Sequence, residues 1–102
     1  MFFSQNITPV ASNSISVIPD SMLFGPLASS RNATVTIVPS DVNPVIRENA
    51  LWISTSYSGT TVTVTVPALK AGSPPRYSTV TLTHPLDAGI FCEIAVSQVS
   101  EI

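Results

Sequence analysis

The chain has 102 residues, enough for one folded domain. Charged residues make up only 10% of it and the net charge is −2, so it has no basic stripe with which to bind nucleic acid or an anionic membrane. The single cysteine excludes an internal disulfide, and one histidine beside one cysteine leaves little material for a metal or Cys-His site. We therefore expect no cofactor, no metal and no enzymatic activity.

The chain begins with a polar segment, residues 1–13, which has an apolar tip at Phe2 and Phe3. This segment lacks the basic region and the long apolar stretch of a signal peptide. We expect it to be an arm that lies on a neighbouring subunit, with Phe2 and Phe3 as anchors. Residues 14–102 are expected to form one domain, made in the cytoplasm without a signal peptide.

Alternation of apolar and polar residues is the dominant pattern in that domain, and it predicts β-strands. It is clearest in TVTVTV, residues 61–66, where the valines point one way and the threonines the other. Seven strands are predicted, at 14–18, 22–24, 33–38, 51–55, 61–66, 77–83 and 91–99. An all-β chain of about seven short strands favours an immunoglobulin-like sandwich over a barrel.

Residues 39–50 form a long connection between the third and fourth predicted strands. A helical turn is expected around residues 47–49, and the simplest role for the connection is a crossover between the two sheets. Long connections on a rigid scaffold often carry function. Arg47 is therefore a candidate contact for a protein partner.

Three aromatic residues are candidates for stacking on a sugar. Trp52 lies in the strand 51–55, where a core or half-buried position is favoured over an outer one. Tyr57 lies at the turn before the strand 61–66 and is the better candidate for exposure, for a glycan or for a protein partner. Tyr77 opens the strand 77–83. All three are possible glycan-binding residues.

The last strand changes parity near Glu93, and we predict a β-bulge there that brings Phe91 and Ile94 to one face. The segment 84–89 is predicted as a loop, so His84 is expected to be solvated. Cys92 lies in an apolar run and is expected to be a small buried hydrophobe.

The succession of these elements resembles a BACON domain. The resemblance covers roughly residues 14–99 and rests on an opening strand, a tryptophan strand, a glycine turn and two closing strands, at 15–25, 52–54, 59–64, 76–82 and 94–98. The last of these ends in Gln98, as closing strands of the family commonly do. The resemblance implies an immunoglobulin-like fold. It also implies a link either to carbohydrate or mucin binding in Bacteroidetes or to virion proteins of their phages.

We expect a structural virion protein, an auxiliary or decoration protein that binds the major capsid protein or other virion proteins of a tailed phage. Its small size, its low charge and the missing signal peptide favour this function and a location in the capsid. A carbohydrate-binding module is the alternative. A domain cut from a larger polypeptide is a third interpretation, in which the missing signal would carry no weight.

Overall fold

Eight strands make up most of residues 13–100, the part of the chain that the computed structural model describes. No helix occurs in this part, and hence none that is long and apolar enough to cross a membrane. The strands are β1 (Ser14–Ile18), β2 (Ser21–Phe24), β3 (Ser29–Val38), β4 (Val45–Glu48), β5 (Ser54–Ser58), β6 (Thr61–Val66), β7 (Arg76–His84) and β8 (Asp87–Gln98).

The strands form two four-stranded sheets, which confirms the predicted immunoglobulin-like sandwich. The first sheet has the order β1-β3-β6-β5 and the second has the order β2-β8-β7-β4. All neighbours are antiparallel except β2 and β8, which are parallel. Without β2, this is the four-plus-three arrangement of a constant-type immunoglobulin domain. The extra strand arises because the chain crosses from the first sheet to the second at Pro19 and Asp20, where β1 ends and β2 begins.

The core lies between the sheets and is built mainly of β-branched side chains. The alternation in β6 leaves its three valines fully buried, and β1, β3 and β7 show the same alternation, with apolar residues facing inward. β-Branched residues suit this arrangement because they pack well on a pleated surface. The fully buried aliphatic side chains include Val62, Val64, Val66, Val80, Leu82 and Ile94.

The predicted loop at residues 84–89 is wrong. β7 continues through His84 and β8 begins at Asp87, which leaves a two-residue turn. His84 is 1% exposed, and its ring forms hydrogen bonds with two segments of the backbone. The Nε2 atom lies 2.6 Å from the carbonyl oxygen of Val38, and the Leu86 N–H donates to Nδ1 at 3.1 Å.

Two further predictions are corrected by the strands at one edge of the sandwich. The helical turn expected around residues 47–49 is absent, because Val45–Glu48 is a strand paired with β7. The predicted strand 51–55 begins only at Ser54, so Trp52 lies in the preceding turn.

The bulge predicted near Glu93 is also wrong. β8 keeps one register with β7 from Phe91 to Gln98, and the irregularity lies between Thr83 and His84. Consequently Cys92, rather than Phe91, faces inward, where it packs half-buried against the core. Phe91 points out of the sandwich.

Candidate functional site

The outer face of the second sheet carries four large apolar side chains that the fold leaves exposed. Leu23 is 51% exposed, Phe91 55%, Val45 57% and Tyr77 69%. They point outward because their neighbours in each strand fill the core. We call this surface the mixed face and define it by Leu23, Val45, Arg47, Tyr77, Phe91 and Glu93.

Strand register arranges the mixed face in rows across the sheet. Val45 and Phe91 flank Thr83 in the row at one end, and Tyr77 and Leu23 flank Ser97 in the row at the other. These two rows are about 20 Å apart at the usual rise of a strand. The mixed face therefore presents two apolar ends.

The rows between the apolar ends are polar and charged. Arg47 and Glu93 lie on either side of Thr81 in one row. The Thr81 hydroxyl donates to the Glu93 carboxylate at 3.3 Å, and the Asn49 amide donates to Thr81 and Thr79 at 2.9 and 2.8 Å. These bonds fix the polar groups in place, which lowers the entropic cost of binding a partner.

The outer face of the first sheet differs, because small hydroxyl side chains fill it. We call it the hydroxyl face, and its hydroxyls partly satisfy one another. Ser30 and Thr65 are joined by a hydrogen bond of 2.8 Å, and the Thr63 hydroxyl donates to Asn32 at 2.9 Å. Ile18 is the one large apolar side chain exposed on this face within the described part of the chain. The hydroxyl face is defined by Ser14, Ser16, Ile18, Ser30, Asn32, Thr34, Thr36, Ser54, Ser56, Ser58, Thr61, Thr63 and Thr65.

Trp52 is half-buried against the core, as predicted, and its ring is already in use. The Arg76 guanidinium carbon lies 4.6 Å from the centre of the indole ring, a cation–π contact. Arg76 also donates two hydrogen bonds, of 2.9 and 2.7 Å, to the side-chain oxygen of Gln98. Since Arg76 covers the ring, the indole is not an open platform for a sugar.

Gln98 completes this polar cluster inside one end of the sandwich. Its side chain is 0% exposed. The amide nitrogen donates to the backbone oxygens of Gly25 and Pro67 at 3.1 and 2.7 Å, while the oxygen accepts from Arg76. Four hydrogen bonds use the full capacity of a glutamine side chain. Gln98 therefore joins the β2–β3 and β6–β7 connections to β7 and β8.

The other candidate residues lie on separate surfaces. Tyr57, the better candidate for exposure among the aromatic residues, is partly buried against the core at the end of β5 and lines a cleft of about 240 Å³. Tyr77 and Arg47 both lie on the mixed face. The structure thus does not gather Trp52, Tyr57 and Tyr77 into one sugar site. Phe2 and Phe3, with the whole predicted arm, lie outside the described residues.

Sequence reasoning missed Leu23, Val45 and Phe91 as candidates. A signal for Phe91 was available, because a regular strand that places Ile94 inward places residue 91 outward without any bulge. No such signal marks Val45, which lies in a strand that was not predicted.

Side chains that could hold a metal ion do not converge in the described part of the chain. Across residues 13–100, no group of three His, Cys, Asp or Glu side chains is placed to hold a metal ion. Burial raises the pKa of the Cys92 thiol, and the adjacent Glu93 carboxylate raises it further. Both effects disfavour the thiolate, which is the reactive form of cysteine.

The strand order and the two contrasting faces define the chain as an immunoglobulin-like β-sandwich with one apolar-rich outer surface. No protein-family model, curated protein or solved structure matches it.

Proposed function

We propose that this chain is a structural protein of a phage particle, an auxiliary or decoration protein that binds the capsid shell through its mixed face. One observation carries the proposal: four large apolar side chains are more than half exposed on a single sheet face. Exposed apolar side chains that share one face in this way, here as one pair at each end, favour a surface that binds another protein. Aromatic residues and arginine, here Phe91, Tyr77 and Arg47, are the types enriched in such interfaces.

The arrangement of the mixed face specifies what the partner presents. Its apolar ends require two apolar depressions about 20 Å apart. Between these ends, the partner should present an acidic or hydrogen-bond-accepting group to Arg47 and a basic or hydrogen-bond-donating group to Glu93. The low charge of the chain, 10% of residues and −2 net, allows many copies to lie close together on one shell without strong repulsion. The resemblance to domains found in phage virions supports the same context.

Binding to assembled shells tests the proposal. The shells are assembled from the major capsid protein of the genome that encodes this chain, and bound chain is measured by co-sedimentation. The double variant Tyr77→Ser with Phe91→Ser lacks two aromatic anchors. We expect its affinity for the shells to fall at least about 30-fold.

The matched control is Thr61→Ser with Thr63→Ser on the hydroxyl face, which should bind as the wild type does. Equal binding by both double variants would contradict a role for the mixed face. The virion proposal itself fails if the wild-type chain does not bind shells, or if its genome encodes no capsid protein.

Carbohydrate binding is a second candidate function, and the cleft beside Tyr57 favours it. A tyrosine and several hydroxyl-bearing residues line this cleft, and aromatic and hydroxyl groups are the chemistry that recognises a sugar. The lining residues are Thr34, Val35, Thr36, Ile37, Ser40, Tyr57 and Thr60.

A glycan array followed by calorimetry tests the second function. If a sugar binds in the cleft, Thr36→Val should weaken binding about 5- to 10-fold, the effect of one lost hydrogen bond. Thr63→Val, which removes a hydroxyl outside the cleft, should leave it unchanged. Absence of binding to any glycan at millimolar concentration would rule out this function.

A further inference from the structure

β5 is an edge strand of the first sheet, and its own residues lack the features that usually protect an edge. Such features include charged residues, prolines, bulges and a covering segment. Residues 49–66, which contain β5, have no charged residue and no proline. By contrast, the edge strand β4 follows Pro44 and contains Arg47 and Glu48.

The two edge strands at the other side of the sandwich are also protected. β1 is directly followed by Pro19, and β2 is a four-residue strand between Pro19 and Pro26. β5 is therefore the edge in the described part of the chain that carries no protecting residue of its own. The charge that the structure places against it comes from β4, where the Glu48 carboxylate accepts a hydrogen bond of 2.6 Å from the Thr55 hydroxyl.

The hairpin between β5 and β6 fixes which backbone groups of β5 face the open side. Ser58 and Thr61 flank a two-residue turn, whose first residue, Gly59, has a φ of 62°. The two residues that flank such a turn form a hydrogen-bonded pair. Along the two strands, hydrogen-bonded pairs then alternate with pairs that are not hydrogen-bonded to each other. Ser54, Ser56 and Ser58 thus direct their backbone groups toward β6, whereas Thr55 and Tyr57 direct theirs outward.

We propose that β5 pairs with β5 of a second copy of this chain, antiparallel, about a two-fold axis at Ser56. The sequence of β5, Ser-Thr-Ser-Tyr-Ser, complements itself in this register. Ser54 lies opposite Ser58, Thr55 lies opposite Tyr57, and Ser56 lies opposite its own copy. Thr55 and Tyr57 of the two copies exchange about four backbone hydrogen bonds, which is an isologous contact.

The pairing joins two four-stranded sheets into one continuous sheet. Its inner side brings Tyr57 of each copy beside Thr55 of the other, and cross-strand pairs of an aromatic with a β-branched residue are stabilising. The mixed face lies on the other sheet and stays free. The interaction thus goes beyond the proposed function and requires no capsid shell.

Charge variants at Ser56 test the proposal, because this exposed residue lies on the two-fold axis. The purified wild-type chain is examined by sedimentation velocity, and we expect self-association with a Kd on the order of 0.1–1 mM, the weak range of a small interface. Ser56→Glu and Ser56→Lys each place like charges directly opposite each other, and each should weaken association at least about fivefold. An equimolar mixture of the two variants should restore it.

Ser16→Lys is the matched control, since Ser16 lies on the same outer face but in β1, at the opposite edge. It should associate as the wild type does. Dilution should shift the backbone amide resonances of residues 54–58 in particular. The proposal is overturned by a wild type that stays monomeric at 1 mM, by Ser56 variants that associate normally, or by a mixture that fails to restore association.

Discussion

The Gln98 cluster and the mixed face both reverse the usual placement of side chains, in opposite directions. At Gln98 a polar amide lies fully buried, whereas on the mixed face Phe91 and Tyr77 lie more than half exposed. The difference is in where their partners are. All four hydrogen-bonding positions of Gln98 are filled by Arg76 and by backbone oxygens of the same chain. The apolar groups of the mixed face are left to contact another molecule. A buried polar group whose hydrogen bonds are all made within the chain stabilises the fold. An exposed apolar group without a partner in the chain is available for binding another molecule.

The largest expected effect is a loss of stability on substitution of the buried Gln98. Gln98→Ala leaves two backbone oxygens and the Arg76 guanidinium without their partner, and should lower the free energy of unfolding by about 2–4 kcal/mol. Urea unfolding measures this loss. Ser54→Ala removes one exposed contact of 3.4 Å and should cost less than about 0.5 kcal/mol. If Gln98→Ala lost as little stability as Ser54→Ala, the Gln98 cluster would not stabilise the fold.

A smaller loss is expected for Arg76→Lys. Lysine keeps the charge but cannot donate through the planar guanidinium or stack in the same way on Trp52, so unfolding should become easier by about 1–2 kcal/mol. Arg47→Lys, an exposed arginine on the mixed face, is the control and should change stability by less than about 0.5 kcal/mol. Denaturant unfolding followed by tryptophan fluorescence measures both variants. If Arg76→Lys were as stable as Arg47→Lys, the positive charge at position 76 alone would account for the stabilising effect of Arg76.

On the exposed side of the comparison the fold should hardly respond. Phe91→Ser removes a ring that is 55% exposed, and we expect the free energy of unfolding to change by no more than about 0.5 kcal/mol. Thermal unfolding checks this value. A loss of 2 kcal/mol or more would mean that Phe91 belongs to the core, which would end the distinction between the two regions.

The smallest effect concerns the boundary between the mixed face and the interior, where Glu93 faces out and Cys92 faces in. Burial and the Glu93 charge both raise the pKa of the thiol, so its thiolate forms at higher pH than that of a free cysteine. Alkylation rates measured against pH should therefore have a midpoint above that of a free thiol. Glu93→Gln removes one of the two causes and should move the midpoint down, while Glu48→Gln should not. An unchanged midpoint in Glu93→Gln would leave burial as the sole cause.

The sandwich could be predicted from the sequence because valine and threonine alternate strictly where one strand face is buried. In β6 every second residue is a core valine, and only one parity is possible. The prediction was wrong where apolar residues occupy both faces of a strand, since Phe91 has one parity and Cys92 and Ile94 have the other. It was also wrong at His84, because a histidine before a proline gives no sign of burial between two backbone segments. β4 was missed because it is four residues long and buries little of its surface.

The mixed face itself could not be predicted, because it depends on register across strands distant in sequence. Tyr77 and Arg47 were candidates, but nothing in the sequence placed them on one surface with Leu23 and Val45. Positions where the local pattern conflicts with the fold are often functional, and Phe91 is such a position.

A photoreactive amino acid placed at one face or the other tests the central claim most directly. One variant carries it at position 91, on the mixed face, and the other carries it at position 63, on the hydroxyl face. Both are bound to assembled shells, irradiated and analysed by mass spectrometry. The account predicts cross-links to the major capsid protein from position 91 and none from position 63. Cross-links from position 63 alone would contradict it.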